Sequence, residues 1–201
     1  MGNVLKAFLI VGITLSGLSL GTTLFYVFLY DIYEMLIVFD QAISILSIII
    51  WILLIVFYLI WIYQVHVDFR RLAPCYKIKP GGALLRIMVP FYNLYGMWNV
   101  YSTMGDYFKK HSALKHIGIK IIQLTPIYYF LYWGTTLMDR LILKGMVVND
   151  LFLLSYYVLD FILMISFFLI IKTVLKAFEI VEGDYETYQE TVQNPLETTN
   201  E

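Results

Sequence analysis

Four apolar runs dominate the chain, each long enough to cross a hydrocarbon core of about 30 Å. They cover residues 7–30, 36–65, 117–138 and 151–171. Charged residues bound them: Lys6 and Asp31, Asp139 after the third run, Asp150 and Lys172 around the fourth. The short turn Asp31–Met35 makes the first two runs an antiparallel hairpin. Segment 82–110 is different, too apolar for a soluble loop and too interrupted for an ordinary span. Its polar residues Arg86, Asn93, Gly96, Asn99, Thr103, Asp106 and Lys110 recur at steps of three, four or seven, one narrow stripe on an otherwise apolar helix. Pro90 removes a backbone hydrogen bond and predicts a kink or break early in that helix. The pattern therefore predicts an all-α integral membrane protein. It has four transmembrane helices plus a Pro-broken interfacial or re-entrant helix between spans two and three.

Composition agrees. Hydrophobic residues make up 60% of the chain and charged residues 14%, against roughly 25% charged in soluble domains. Charge then orients the spans. Nine of the fourteen Lys and Arg fall between Arg70 and Lys120, and the first connection carries acids alone. Lys and Arg are retained on the cytoplasmic side, so both termini are expected in the cytoplasm of a cell-membrane (inner or plasma) protein. A fifth span over 87–105 would put Lys109, Lys110, Lys115 and Lys120 outside, which disfavours it against an interfacial helix or a hairpin turning near Pro90–Gly96. Residues 1–178 read as one helical membrane domain. The tail 179–201 holds seven acids and no base. Too poor in aliphatic residues to fold alone, it reads as an acidic disordered cytoplasmic tail and a candidate protein-binding segment. The start mimics a signal peptide, but its apolar run continues to Tyr30, so it reads as a retained span. The one cysteine, Cys75, forms no intramolecular disulfide.

The stretch from Trp61 to Met104 resembles a bacterial family of multi-pass membrane proteins known only as a domain of unknown function. The residues that carry the likeness are Trp61, Arg70, Arg71, Gly81, Gly82, Pro90, Asn93, Leu94 and Tyr95. In that family a span ends in a Trp followed by basic residues, and a Pro-x-x-Asn-Leu-Trp/Tyr signature comes after small residues. Tyr95 stands where the family often has Trp, and Gly96 where it has a second proline. The resemblance implies architecture and no biochemical activity.

Candidate chemistry is sparse. Asp160 falls at the middle of the fourth run, where a charged residue costs about 2.5–3.5 kcal/mol, so it must face the bundle with a partner. Gln123 is its expected polar neighbour. With Arg86, Asn93, Asn99 and Asp106 these are the polar intramembrane candidates. Gly17-x-x-x-Gly21 permits close helix approach, within the chain or in a homo-oligomer. His66, Asp68, Cys75, His111 and His116 gather near the basic side without the spacing of a metal or phosphate motif, so no metal and no cofactor are expected. The basic residues beside the spans suit anionic membrane lipids, not nucleic acid. The expected function is a non-enzymatic transport-like, channel-like or accessory membrane subunit. The alternative is a membrane-bound enzyme acting on a lipid or isoprenoid-linked substrate at the cytoplasmic face.

Overall fold

Almost all of the backbone closes its hydrogen bonds inside helices, as a chain this apolar must wherever water is excluded. The computed structural model describes residues 1–72, 76–146 and 149–193, without the side chains of 90, 91, 182 and 184–193. The elements are α1 (Gly2–Phe28), α2 (Tyr30–Leu72), α3 (Pro80–Met88), α4 (Pro90–Lys109), a 3-10 turn (Ser112–Leu114), α5 (Lys115–Leu143) and α6 (Asp150–Gln193). There is no strand among the described residues.

Four spans were expected; among the described residues three helices, α1, α2 and α6, are long and apolar enough to cross a membrane. The helix over the third expected span, α5, has the length. Lys120, Gln123, Pro126 and several tyrosines dilute its apolar run. The turn between the first two helices also moves. Leu29 alone separates them, its N–H bonded to the Phe25 carbonyl at 2.8 Å. Residues 31–35, expected as the turn, begin α2. At the other end α6 stays helical to Gln193; residues 194–201 lie outside the described residues.

Local signals explain the other boundaries. Pro90 does not kink a helix but begins one, at a position where its missing N–H costs nothing. Val89 before it is extended (φ −79°, ψ 119°), as a residue preceding proline prefers. Gly145 takes φ +62° just after α5. Its N–H bonds the Ile142 carbonyl and that of Met146 bonds Leu141, which satisfies the open end of the helix. The Asn149 side chain accepts the Phe152 N–H at 2.7 Å and caps α6.

The helices form a ring in chain order, α1 to α6, closed by α6 on α1. Inside it lies an aromatic plug. Tyr58 of α2, Tyr101 of α4, Tyr128 of α5 and Phe167 of α6 meet at ring separations of 5.1–5.9 Å. The Tyr101 hydroxyl donates to Tyr58 at 2.9 Å. A second cluster joins Phe69, Phe108, Phe178 and Tyr76 nearer the basic end. The outer surface is apolar instead: Ile45, Ile48, Ile49, Trp51 and Ile52 of α2 are all more than half exposed. A continuous exposed face of this kind suits lipid as its solvent.

α3 and α4 make a hairpin whose two ends lie together. Tyr76, before α3, and Tyr107, near the end of α4, are 5.7 Å apart and both touch Phe69. The turn at Val89 leads into a segment held near the middle of α5, where Tyr129 donates to the Leu94 carbonyl at 2.6 Å. Two glycine contacts hold this unit. A Cβ on Gly96 would lie 2.0 Å from the Arg86 carbonyl oxygen. One on Gly118 would lie 2.4 Å from the Lys109 nitrogen.

Candidate functional site

Most serine and threonine hydroxyls in the helices bond to their own helix. Thr14, Thr23, Thr125, Ser155, Ser166 and Thr173 each donate to the carbonyl four residues back. This satisfies a hydroxyl in apolar surroundings without a partner from another helix. Ser16 and Thr22 of α1 reach carboxylates of other helices, Thr22 while within 3.0 Å of the Ser19 carbonyl of its own helix. Ser16 donates to Asp160 of α6 at 2.6 Å, and Thr22 donates to Asp40 of α2.

These bonds belong to one polar group at the end of the ring away from the basic residues. Tyr33 donates to Asp40 at 3.2 Å. Asp139 of α5 interacts electrostatically with Asp160 and lies beside the phenol of Tyr156. Tyr157 interacts with Asp40, Asp139 and Asp160 together. Three carboxyls from three helices thus lie among three phenols, Tyr33, Tyr156 and Tyr157, and α1 supplies the hydroxyls. No three His, Cys, Asp or Glu side chains among the described residues are placed to hold a metal ion. Such a set can exchange a proton or offer mixed oxygen donors to a small cation.

The residues singled out by sequence are divided. Asp160 has its partner, but that partner is Ser16; Gln123 is exposed on α5. The stripe does not join Asp160. Arg86 is half-buried, Asn93 has its amide nitrogen 3.5 Å from the Tyr132 hydroxyl, Asn99 lies beside Tyr95, and Asp106 is exposed. Gly17 packs intramolecularly, where an added Cβ would sit 3.3 Å from Phe161, whereas Gly21 faces open space. Of the resemblance residues, Trp61 is buried and its indole nitrogen has no hydrogen-bond partner. Arg70, Arg71, Gly81, Leu94 and Tyr95 are exposed, Gly82 lies against the Arg86 guanidinium, and Pro90 starts α4.

His66 is fully buried, its Nδ1 2.8 Å from the Ile62 carbonyl. His111 lies exposed on Tyr107. The two histidines thus differ in burial, while Cys75 lies outside the described residues. Sequence reasoning missed Asp40, Asp139, Tyr156 and Tyr157 as members of the Asp160 group. The only signal they offered was acids or phenols inside or beside apolar runs. Comparison with protein-family models, with curated proteins and with solved structures gives no match.

Proposed function

We propose that the protein is a multi-pass cell-membrane protein with cytoplasmic termini that acts as a non-enzymatic transport-like subunit, in which the Asp160 group handles a proton or a small cation. The observation that carries this reading is the Ser16–Asp160 bond beside Asp139 and Tyr157. Intramembrane carboxyls that face a bundle interior mark proton and ion pathways. The aromatic plug of Tyr58, Tyr101, Tyr128 and Phe167 lies between this group and the basic end. Passage then needs the plug to move, which favours a gated step over an open pore.

Four crossings complete the topology, by α1, α2, α5 and α6. α5 starts where Gly118 meets Lys109 and ends where Asp139 meets Tyr156, so it runs from the basic end to the acidic one. At 29 residues it is about 43 Å long, enough to cross despite its polar content. The α3–α4 hairpin is re-entrant, entering from the basic face and returning from mid-depth. Irregular backbone such as Val89 survives there because protein surrounds it. The basic residues of that face support its cytoplasmic side, since Lys and Arg are retained there.

Two measurements test this. In proteoliposomes, Asp160→Asn is expected to reduce proton or cation uptake at least tenfold with normal expression. Unchanged uptake would remove Asp160 from the mechanism. In a Cys75→Ser background, single cysteines report topology. A cysteine at Lys144 should label from outside, one at Lys110 from the cytoplasm, and one at Val89 from neither side. External labelling at Lys110 would make α4 a full span and overturn the hairpin.

A further inference from the structure

A cleft of ≈ 480 Å³ runs along α3, lined by Lys77, Lys79, Gly82, Leu85, Arg86, Val89 and Tyr92. Its chemistry changes along its length. Lys77 and Lys79 stand before α3, and the Arg86 side chain folds back one turn to bond the Gly82 carbonyl at 3.3 Å. Three positive charges are therefore drawn toward the start of the helix. Leu85, Val89 and Tyr92 form the other part, toward the hairpin turn. The helix between them, nine residues long, spans about 14 Å.

The cations have no counter-charge. Among the described residues no carboxylate pairs with Lys77, Lys79 or Arg86 within 4.0 Å, and the Arg86 guanidinium otherwise only overlies the Tyr92 ring at 5.9 Å. A half-buried guanidinium whose one hydrogen bond goes to a backbone carbonyl, with no carboxylate to neutralise it, calls for an anionic acceptor.

We infer that this cleft binds an anionic phospholipid, its phosphate between Lys77, Lys79 and Arg86 and an acyl chain along Leu85, Val89 and Tyr92. Charge complementarity selects the headgroup, since a planar guanidinium can grip two phosphate oxygens at once. The direction of the gradient selects a lipid. In the re-entrant placement proposed above, on which this inference rests, the cations sit at headgroup level and the apolar wall descends into the acyl region.

The test is calorimetric titration of the full-length protein in a neutral detergent with dioctanoyl phosphatidylglycerol, dioctanoyl phosphatidylcholine or sodium phosphate. Phosphatidylglycerol should bind saturably and at least tenfold tighter than phosphatidylcholine. Arg86→Gln should weaken it about tenfold, and Arg86→Lys should restore part of the loss. The double variant Lys77→Gln/Lys79→Gln, at two exposed positions, protects the result against misfolding and should weaken binding severalfold. Equal binding of the two lipids, or binding unchanged in the double variant, overturns the site. Inorganic phosphate binding as tightly as the lipid also overturns it, because the apolar wall would then contribute nothing. The cysteine labelling at Val89 and Lys110 reports separately on the hairpin's placement.

Discussion

Gly118→Val is expected to unseat α4 from α5 and to lower stability by about 3 kcal/mol or more, the upper end of what overpacking costs. The reason is which atoms stand in the way. A Cβ at Gly118 would lie 2.4 Å from the Lys109 nitrogen, 2.6 Å from the Gly105 oxygen and 2.8 Å from the Lys109 Cα. All three are backbone atoms, so no rotamer change relieves the clash. Gly105 faces the same crossing, with the Gly118 oxygen 3.1 Å from its own added Cβ. The two helices therefore meet backbone to backbone, the approach that small residues permit. Gly134→Val is the control, since nothing lies within 4 Å of a Cβ there. Thermal melts of the two variants in detergent decide the matter. Equal melting temperatures would mean that the α4–α5 seat contributes nothing to stability.

Tyr128→Ala is expected to cost about 3–5 kcal/mol, the range for truncating a buried aromatic ring. It should also make reconstituted vesicles leak protons. Tyr128 is 6% exposed, stacked on Phe167 at 5.3 Å and set edge-on to Tyr101 at 5.9 Å. Removing the ring opens the centre of the plug, where α2, α4, α5 and α6 converge. Tyr128→Phe keeps the ring and should keep the seal. A passive proton leak that rises for alanine and not for phenylalanine would assign the barrier to the plug. An alanine variant that folds and leaks no more than wild type would place the barrier elsewhere.

The hairpin illustrates how far local pattern reaches. The polar positions from Asn93 to Asp106 marked the helix α4, but Arg86, counted on the same stripe, lies on α3 before the extended Val89. Yet the tertiary structure spends the stripe on several tasks. Gly96 admits the backbone of Arg86, Asn93 faces Tyr132, and Asp106 is left exposed. Spacing alone cannot tell a packing glycine from a polar position, because both interrupt an apolar run in the same way. Pro90 was legible as a break, but where it stands in a helix depends on whether the chain turns before it. Asp160 was legible as a buried carboxyl in need of a partner. Its partner Ser16 lies 144 residues away in sequence, and Gln123, the nearer guess, points outward.

The sequence by itself determined what depends on neighbours along the chain. It marked apolar runs long enough to be buried helices, the proline and glycine boundaries, and the basic and acidic ends of the bundle. Only the tertiary structure decided which side chains meet. It joined Asp160 to Ser16 and set Asp40, Asp139 and Tyr157 around them, it turned α3–α4 back at Val89, and it filled the ring with four aromatic side chains. The physical reason is that helix formation is written in local hydrogen bonds and periodicity. Partner choice between helices is set by shape and polarity across distances that no local pattern encodes.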